Sequence, residues 1–371
     1  MIAMSRYALF LLRGQPTRHF LTVSGIALSL ILMGFLLALY RGVEEGSIAY
    51  FRATGADAWV VQQQTTNLLR GFSLLTTAHG SLLREVPGVQ QAAPVIFLLT
   101  SLETDRGSAT VDLAGFDPAS GLGGPPVIVA GRTVARQGEV VLDKAFAAKW
   151  RLQVGNSVKV QDLHLRVVGI SGGTNMVVIQ YAFACLEDVR KLYNSPDLVS
   201  AYIIRANGKH SVEALPATIA DEVPGVSVYT QDAFVANNLR EMRSGFLPVL
   251  IVLSVIGAVA LSAIVSLLLT LTVLERRRDF AVLKAIGAPP GFLPRVVLAQ
   301  ANVLAGVSFG VAAGAAIPLS ALIGFVAPEV ASVLTASDVV LVLAALSAVS
   351  FVSALVPLRK LRTIYATEAF V

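Results

Sequence analysis

The sequence has one cysteine, Cys185. No intrachain disulfide can form, and a zinc cluster built on cysteines is excluded. Histidine is scarce too. His19, His79, His164 and His210 stand far apart, without metal-ligand spacing, so no metal site is expected. G-x-x-x-x-G-K-[ST] is missing, so the chain is not expected to hydrolyse ATP. No paired carboxylates and no Cys/His arrangement mark a catalytic centre, so no catalytic residue is assigned. Charge is the other shortage: charged residues make up 14% of the chain, against about a quarter in a soluble domain. The small surplus is basic, +5 at neutral pH. It lies beside apolar runs rather than on a basic face interleaved with aromatics, which excludes nucleic acid as the partner.

What is present in excess is apolar. Hydrophobic residues reach 55%, and they crowd both ends of the chain. Residues 20–40, "FLTVSGIALSLILMGFLLALY", form an uncharged run of about 21, enough to cross a bilayer. Arg6, Arg13 and Arg18 precede it as in a signal peptide, but the run is too long and lacks an A-x-A cleavage site, so it reads as a retained helix. Three further runs follow, at 244–274, 296–324 and 339–358. The first two are about 30 residues between charges, long enough for tilt. The last is about 20, near the minimum.

Orientation follows from lysine and arginine in the short flanks. Residues 1–19, the 275–295 loop and the 359–371 tail are all basic, whereas the short 325–338 loop carries only Glu329 and Asp338. The basic segments are therefore expected in the cytoplasm, with both termini inside. Residues 41–243 and 325–338 are expected outside. Arg276, Arg277 and Arg278 then anchor the inner end of the second span.

Residues 41–243 have the composition of an α/β domain. "DAWVVQ", "VQQAAPVIFLLTS", "ATVDLAGF", "EVVLD", "SVKVQDLHLRVVGI", "SAYIIRA" and "VSVYT" read as strands. "HGSLLREV", "CLEDVRKLY", "SVEALPATIADEV" and "QDAFVANNLREMRS" have helical spacing. The segments next to the first two spans are expected to form a helical stalk. The fold class is thus a membrane protein of four transmembrane helices, with a large extracytoplasmic α/β domain inserted between the first and second.

An anchor needs only the arginines, yet "DFAVLKAIGAPP" follows them. Phe280, Leu283 and Ile286, with Val282, make an apolar stripe at helical spacing. Gly287 is placed as a helix cap and two prolines forbid continuation. A short amphipathic helix at a cytoplasmic surface lies on lipid or docks into a protein groove, and the pattern alone leaves that even. In the third run, Gly306-Val-Ser308-Phe-Gly310 matches G-x-S-x-G, but a nucleophile elbow needs a strand before it. Gly306, Gly310 and Gly314 read instead as a row for close helix packing.

"LERRRDFAVLKAIGAPPGFL" resembles the coupling segment of the FtsX/MacB-type ABC transporter permeases. "RGQPTRHFLTVSGIALS" is similar to the N-terminal interfacial helix of that family. "GEVVLDKAFAAKWRLQVGNSVKVQDLHLRVVGI" is similar to its MacB-like periplasmic domain. "PLRKLRTIYATEAF" resembles its tail, with Ala366 where a proline is usual. "AGFDPAS", "FVANN" and "RKLR" resemble the DevC-type branch, which works with a periplasmic adaptor. The resemblance implies a permease subunit in the bacterial inner membrane, working as a dimer. A separate ATPase subunit, holding ATP and Mg, would dock on Asp279, Phe280, Val282, Leu283, Lys284, Ile286 and Gly287. Hydrolysis would drive the outer domain by mechanotransmission to export or extract an amphiphilic substrate, with an adaptor and an outer-membrane channel as further partners. True MacB exporters carry a fused nucleotide-binding domain, which this sequence lacks. The alternative is an FtsX-like scaffold that activates a cell-wall hydrolase. In members that extract amphiphiles, positions such as Glu44 and Glu45, just outside the first span, can line substrate access. The plainer reading, a solvated stalk face or a helix-stabilising pair, is favoured.

Overall fold

A long charge-free run in lipid can satisfy all its own backbone polar groups within the segment by coiling into a helix. The computed structural model describes residues 16–175, 179–209, 211–289, 291–326 and 336–362. In it, four helices are long and apolar enough to cross a membrane: α1 (Pro16–Ala53), α6 (Gln231–Glu275), α8 (Phe292–Val326) and α9 (Ala336–Arg362). Between α6 and α8 lies the short helix α7 (Arg277–Ala285).

Between α1 and α6 the chain folds into sheet and short helices. The strands are β1 (Ala58–Gln62), β2 (Leu75–Thr76), β3 (Val89–Thr104), β4 (Gly107–Phe116), β5 (Val127–Gly131), β6 (Glu139–Asp143), β7 (Ser157–Val160), β8 (Leu163–Gly172), β9 (Gln180–Cys185), β10 (Leu198–Val199), β11 (Ala201–Ala206) and β12 (Val226–Thr230). The helices are α2 (Thr77–Glu85), α3 (Lys144–Trp150), α4 (Leu186–Leu192) and α5 (Leu215–Glu222). The main sheet runs β12-β1-β11-β3-β4-β9-β6-β8-β5, with β7 joined to β3 and β8. Among the described residues only β4 with β9 and β6 with β8 are parallel. β3 is 16 residues long, and it ties the two halves of the sheet by pairing with β11 through its first part, up to Val95, and with β4 from Val95 to Thr104.

Strand alternation sends neighbouring residues to opposite faces. Trp59 and Val61 of β1 join Val95, Phe116, Tyr181 and Phe183 in one core. Ala58 and Val60 turn the other way, to Leu83, Ile204 and Ile219 beneath α2 and α5. Further along that second face, Val111, Leu142, Phe146 and Val189 pack under α3 and α4. The chain divides into two compact units. One holds the sheet with residues 39–248, and the other holds the apolar helices. The helical unit has its own core, in which Ile26, Leu30, Leu261, Val265 and Leu304 are buried. Within it, the hydroxyls of Ser262 in α6 and Ser353 in α9 lie 3.1 Å apart, an interhelical hydrogen bond of the kind that joins helices in lipid.

Candidate functional site

α6 ends at Glu275 and α7 begins at Arg277, so Arg276 alone separates them. The Phe280 amide donates to the Arg276 carbonyl at 3.0 Å and closes the first turn. At the other end Gly287 takes φ +92°, a conformation that favours glycine. The Ala288 amide then reaches back to the Leu283 carbonyl at 3.0 Å, the bond that ends a helix in a Schellman motif.

The apolar stripe read along this helix divides between two faces. Phe280 and Ala281 are fully buried against Val273 of α6 and Leu293 and Val297 of α8, with Leu283 half-buried beside them. Val282 and Ile286 point away; Ile286 is 75% exposed. Asp279 and Arg278 are exposed as well. Phe280 therefore seats α7 on its own unit, and the apolar surface left open is that of Val282 and Ile286. The stripe was expected to serve one purpose, and the structure uses its two sides differently.

Gly306, Gly310 and Gly314 are exposed on α8, and a Cβ added at any of them would meet nothing within 4 Å. The row does no packing with the described residues of this chain. Ser308, between the first two glycines, is fully buried and its hydroxyl donates to the Leu304 carbonyl at 2.7 Å. It has neither the strand nor the exposure that a nucleophile elbow requires.

Glu44 is buried, and one of its carboxylate oxygens accepts from Nε and Nη2 of Arg243 at 2.9 and 2.5 Å. The pair clips α1 to α6 and commits the carboxylate that was a candidate for substrate access. Glu45 is exposed and paired with Arg52 at 3.1 Å. Sequence reasoning missed the rest of this clip. The Trp59 indole donates to Oε1 of Gln231 at 2.7 Å, and Gln231 Nε2 donates to the Phe51 carbonyl at the end of α1. Phe234 stacks on Trp59 at 4.8 Å. Asn238, fully buried, accepts the amides of Leu68 and Leu69 at 3.0 and 3.2 Å and donates to the Phe234 carbonyl. Its signal was faint: two adjacent asparagines in an otherwise helical pattern. Among the described residues no group of His, Cys, Asp and Glu is arranged to hold a metal ion.

A family model described as MacB-like periplasmic core domain matches residues 19–222, and one described as FtsX-like permease C-terminal matches residues 251–366. An ABC transporter permease of Mycobacterium tuberculosis (strain H37Rv) is 28% identical over 254 residues, covering 68% of this chain and 67% of that protein. Another, from Mycobacterium bovis, is 26% identical over 282 residues, covering 75% and 74%. Among solved structures, the periplasmic region of MacB from Actinobacillus actinomycetemcomitans is similar at TM-score 0.39 and 13% identity, over 49% of this chain and 92% of that one. The extracellular domain of the ABC-type transporter YknZ from Gram-positive bacteria gives TM-score 0.38 and 11% identity, over 46% and 100%.

Proposed function

Because the chain belongs to the ABC transporter permeases that join a MacB-like periplasmic core domain to an FtsX-like permease C-terminal domain, we propose that it converts ATP hydrolysis on a separate subunit into movement of its outer domain. It is a multi-pass membrane permease, and as such works with an ATPase. In this reading the ATPase, carrying ATP and Mg, docks in the cytoplasm on Val282 of α7 and Ile286 just past its end, with Asp279 at the rim. Arg276, Arg277 and Arg278 set the height of that helix at the inner surface, as the positive-inside rule requires. Both termini then lie in the cytoplasm, and the sheet unit outside.

The work is mechanotransmission. α7 is seated on α6 and α8 through Phe280, and α6 is one helix of 45 residues from the sheet unit into the apolar unit. Displacing α7 shifts the contacts of α6, and the Glu44–Arg243 pair passes the shift to α1. The ATPase achieves this by touching two permease conformations unequally. Two copies form the membrane unit, the open glycine row of α8 being available for close packing. The substrate is an amphiphile extracted or exported on the outer side, with an adaptor and outer-membrane channel beyond it.

The observation that carries this reading is the exposed apolar pair of Val282 in α7 and Ile286 just after it, on a segment otherwise held by its own unit. The test is retention of the ATPase in detergent. Val282→Asp with Ile286→Asp should insert and fold normally and lose the ATPase, because an unpaired charge in a docking contact costs on the order of several kcal/mol. Undiminished co-purification at equal permease level overturns the docking role.

A further inference from the structure

Thr110, Asp112, Ala114 and Phe116 of β4 share one face of the sheet. In register beside Asp112 stand Leu99 of β3 and Tyr181 of β9. The face continues into the core around Tyr50, Phe97 and Phe183, so a carboxylate breaks an apolar pattern there. Among the described residues no hydrogen bond or ion pair engages it. Enclosure alone pushes its carboxyl up to about 7. The titratable groups around it are Tyr50 from α1, Tyr181 from β9 and Tyr193 after α4, all held above the usual phenol range by burial, with Asp112 itself adding to the rise. They are neutral at physiological pH, and the Tyr193 hydroxyl is committed as donor to the Phe97 carbonyl at 2.9 Å.

Asp112 lines a cavity of about 320 Å³. The walls include Leu69, Phe72, Leu74, Leu99 and Ile179. Phe72 and Leu99 are 67% and 62% exposed, a large apolar cost for side chains with no cover. The volume falls at the small end of ligand pockets, and the make-up is theirs too: apolar walls and a few polar groups, of which the hydroxyls of Ser73, Tyr193 and Ser200 are already engaged by the backbone. We propose that this groove binds an amphiphile whose apolar chain lies along Phe72, Leu74 and Leu99 and whose single protonated amine is held by Asp112. The charge is complementary, and a cation there gives the Asp112 carboxylate the partner it lacks among the described residues. The proposal rests on the transport reading for the amphiphilic class of its ligand, and gives that class a place and a head group. The groove is also tied to the helices that would move it. Asn238 of α6 holds the wall at Leu68 and Leu69, and Tyr50 of α1 stacks on Tyr181 at 5.0 Å.

The test uses the full-length chain in lipid nanodiscs and a photoreactive ten-carbon primary alkylamine, beside the alcohol and the carboxylate of the same chain. Label is mapped by peptide mass spectrometry. The amine should label the segments holding Phe72 and Leu99, about tenfold more than the alcohol or carboxylate, the scale of one charge-assisted hydrogen bond. Asp112→Asn should remove that preference and Asp112→Glu restore it. Lowering the pH from 8 to 6 on the unaltered chain should also remove it, as Asp112 takes up its proton. Leu99→Ser, on an exposed side chain, should weaken all three probes. Equal labelling by the three, no labelling at this segment, or a preference that survives both Asp112→Asn and pH 6 overturns the proposal. Should Asp112→Asn fail to fold, the pH series and Leu99→Ser decide alone. None of these readouts involves the ATPase, so a failure here leaves the docking result standing, and the reverse.

Discussion

Glu139 lies almost fully buried at the start of β6 and accepts from both Arg132 terminal nitrogens at 2.7 and 2.5 Å, from Arg136 at 3.0 Å and from the Ala135 amide at 3.0 Å. These bonds, Arg132 first, bring its pKa down to about 2. An unfolded glutamate titrates near ~4.3. The folded pKa is depressed, so the stabilisation is complete above about pH 5 and is lost as pH falls through about 2. Both arginines are half or more exposed, and screening holds the gain to about 1–2 kcal/mol. Glu139→Gln should therefore unfold more easily at pH 7 by that amount, with the difference gone near pH 2, measured by denaturant titration. A difference constant with pH would assign the effect to packing. Asp112 is the opposite case, a part-buried carboxylate with no ion pair or hydrogen bond among the described residues. Neither was legible in the sequence. Arg132 and Arg136 are near Glu139 in the chain, but only folding turns them onto one oxygen pair. "ATVDLAGF" reads as a strand whichever face is covered, and the cover of Asp112 comes from α1 and β9, distant in sequence.

The apolar helices were legible because length without charge is enough to specify a span. α7 was legible from its stripe, its glycine and its prolines. Which side of the stripe faces inward was not, since periodicity defines a face without naming the neighbour that covers it. Phe280 turned out to be covered by α8 and Val282 left open. Strand β9, "QYAFAC", gave no strand signal: it is buried on both faces, so alternation is lost, and its alanines lower the propensity. The loop 63–74 is tied to α6 by Asn238 and by the exposed Arg70–Glu241 pair at 3.3 Å. Asn238→Ala leaves the amides of Leu68 and Leu69 without their acceptor, at about 1–3 kcal/mol for a buried donor. Hydrogen exchange at these two amides should quicken at least tenfold while β3 and β4 stay protected. Unchanged exchange would mean the loop is held by its other contacts.

For the whole molecule, the account requires the sheet unit and α7 on opposite sides of a membrane. Cys185 would confuse thiol labelling, so Cys185→Ser is the background. An impermeant thiol reagent on intact spheroplasts should label Ser211→Cys, which is exposed in the sheet unit, and spare Ala285→Cys in α7. The reverse order removes the four-span arrangement. The central claim is that work done at α7 reaches the sheet unit through continuous helices. It is tested most directly by hydrogen exchange of residues 43–53 of α1 and 231–243 of α6, compared between the nucleotide-free complex with its ATPase and the complex trapped with ATP, Mg and vanadate. The account predicts that exchange in both segments changes on trapping, and that Val282→Asp with Ile286→Asp abolishes the change. Identical exchange in a complex that retains its ATPase and has trapped nucleotide would contradict it.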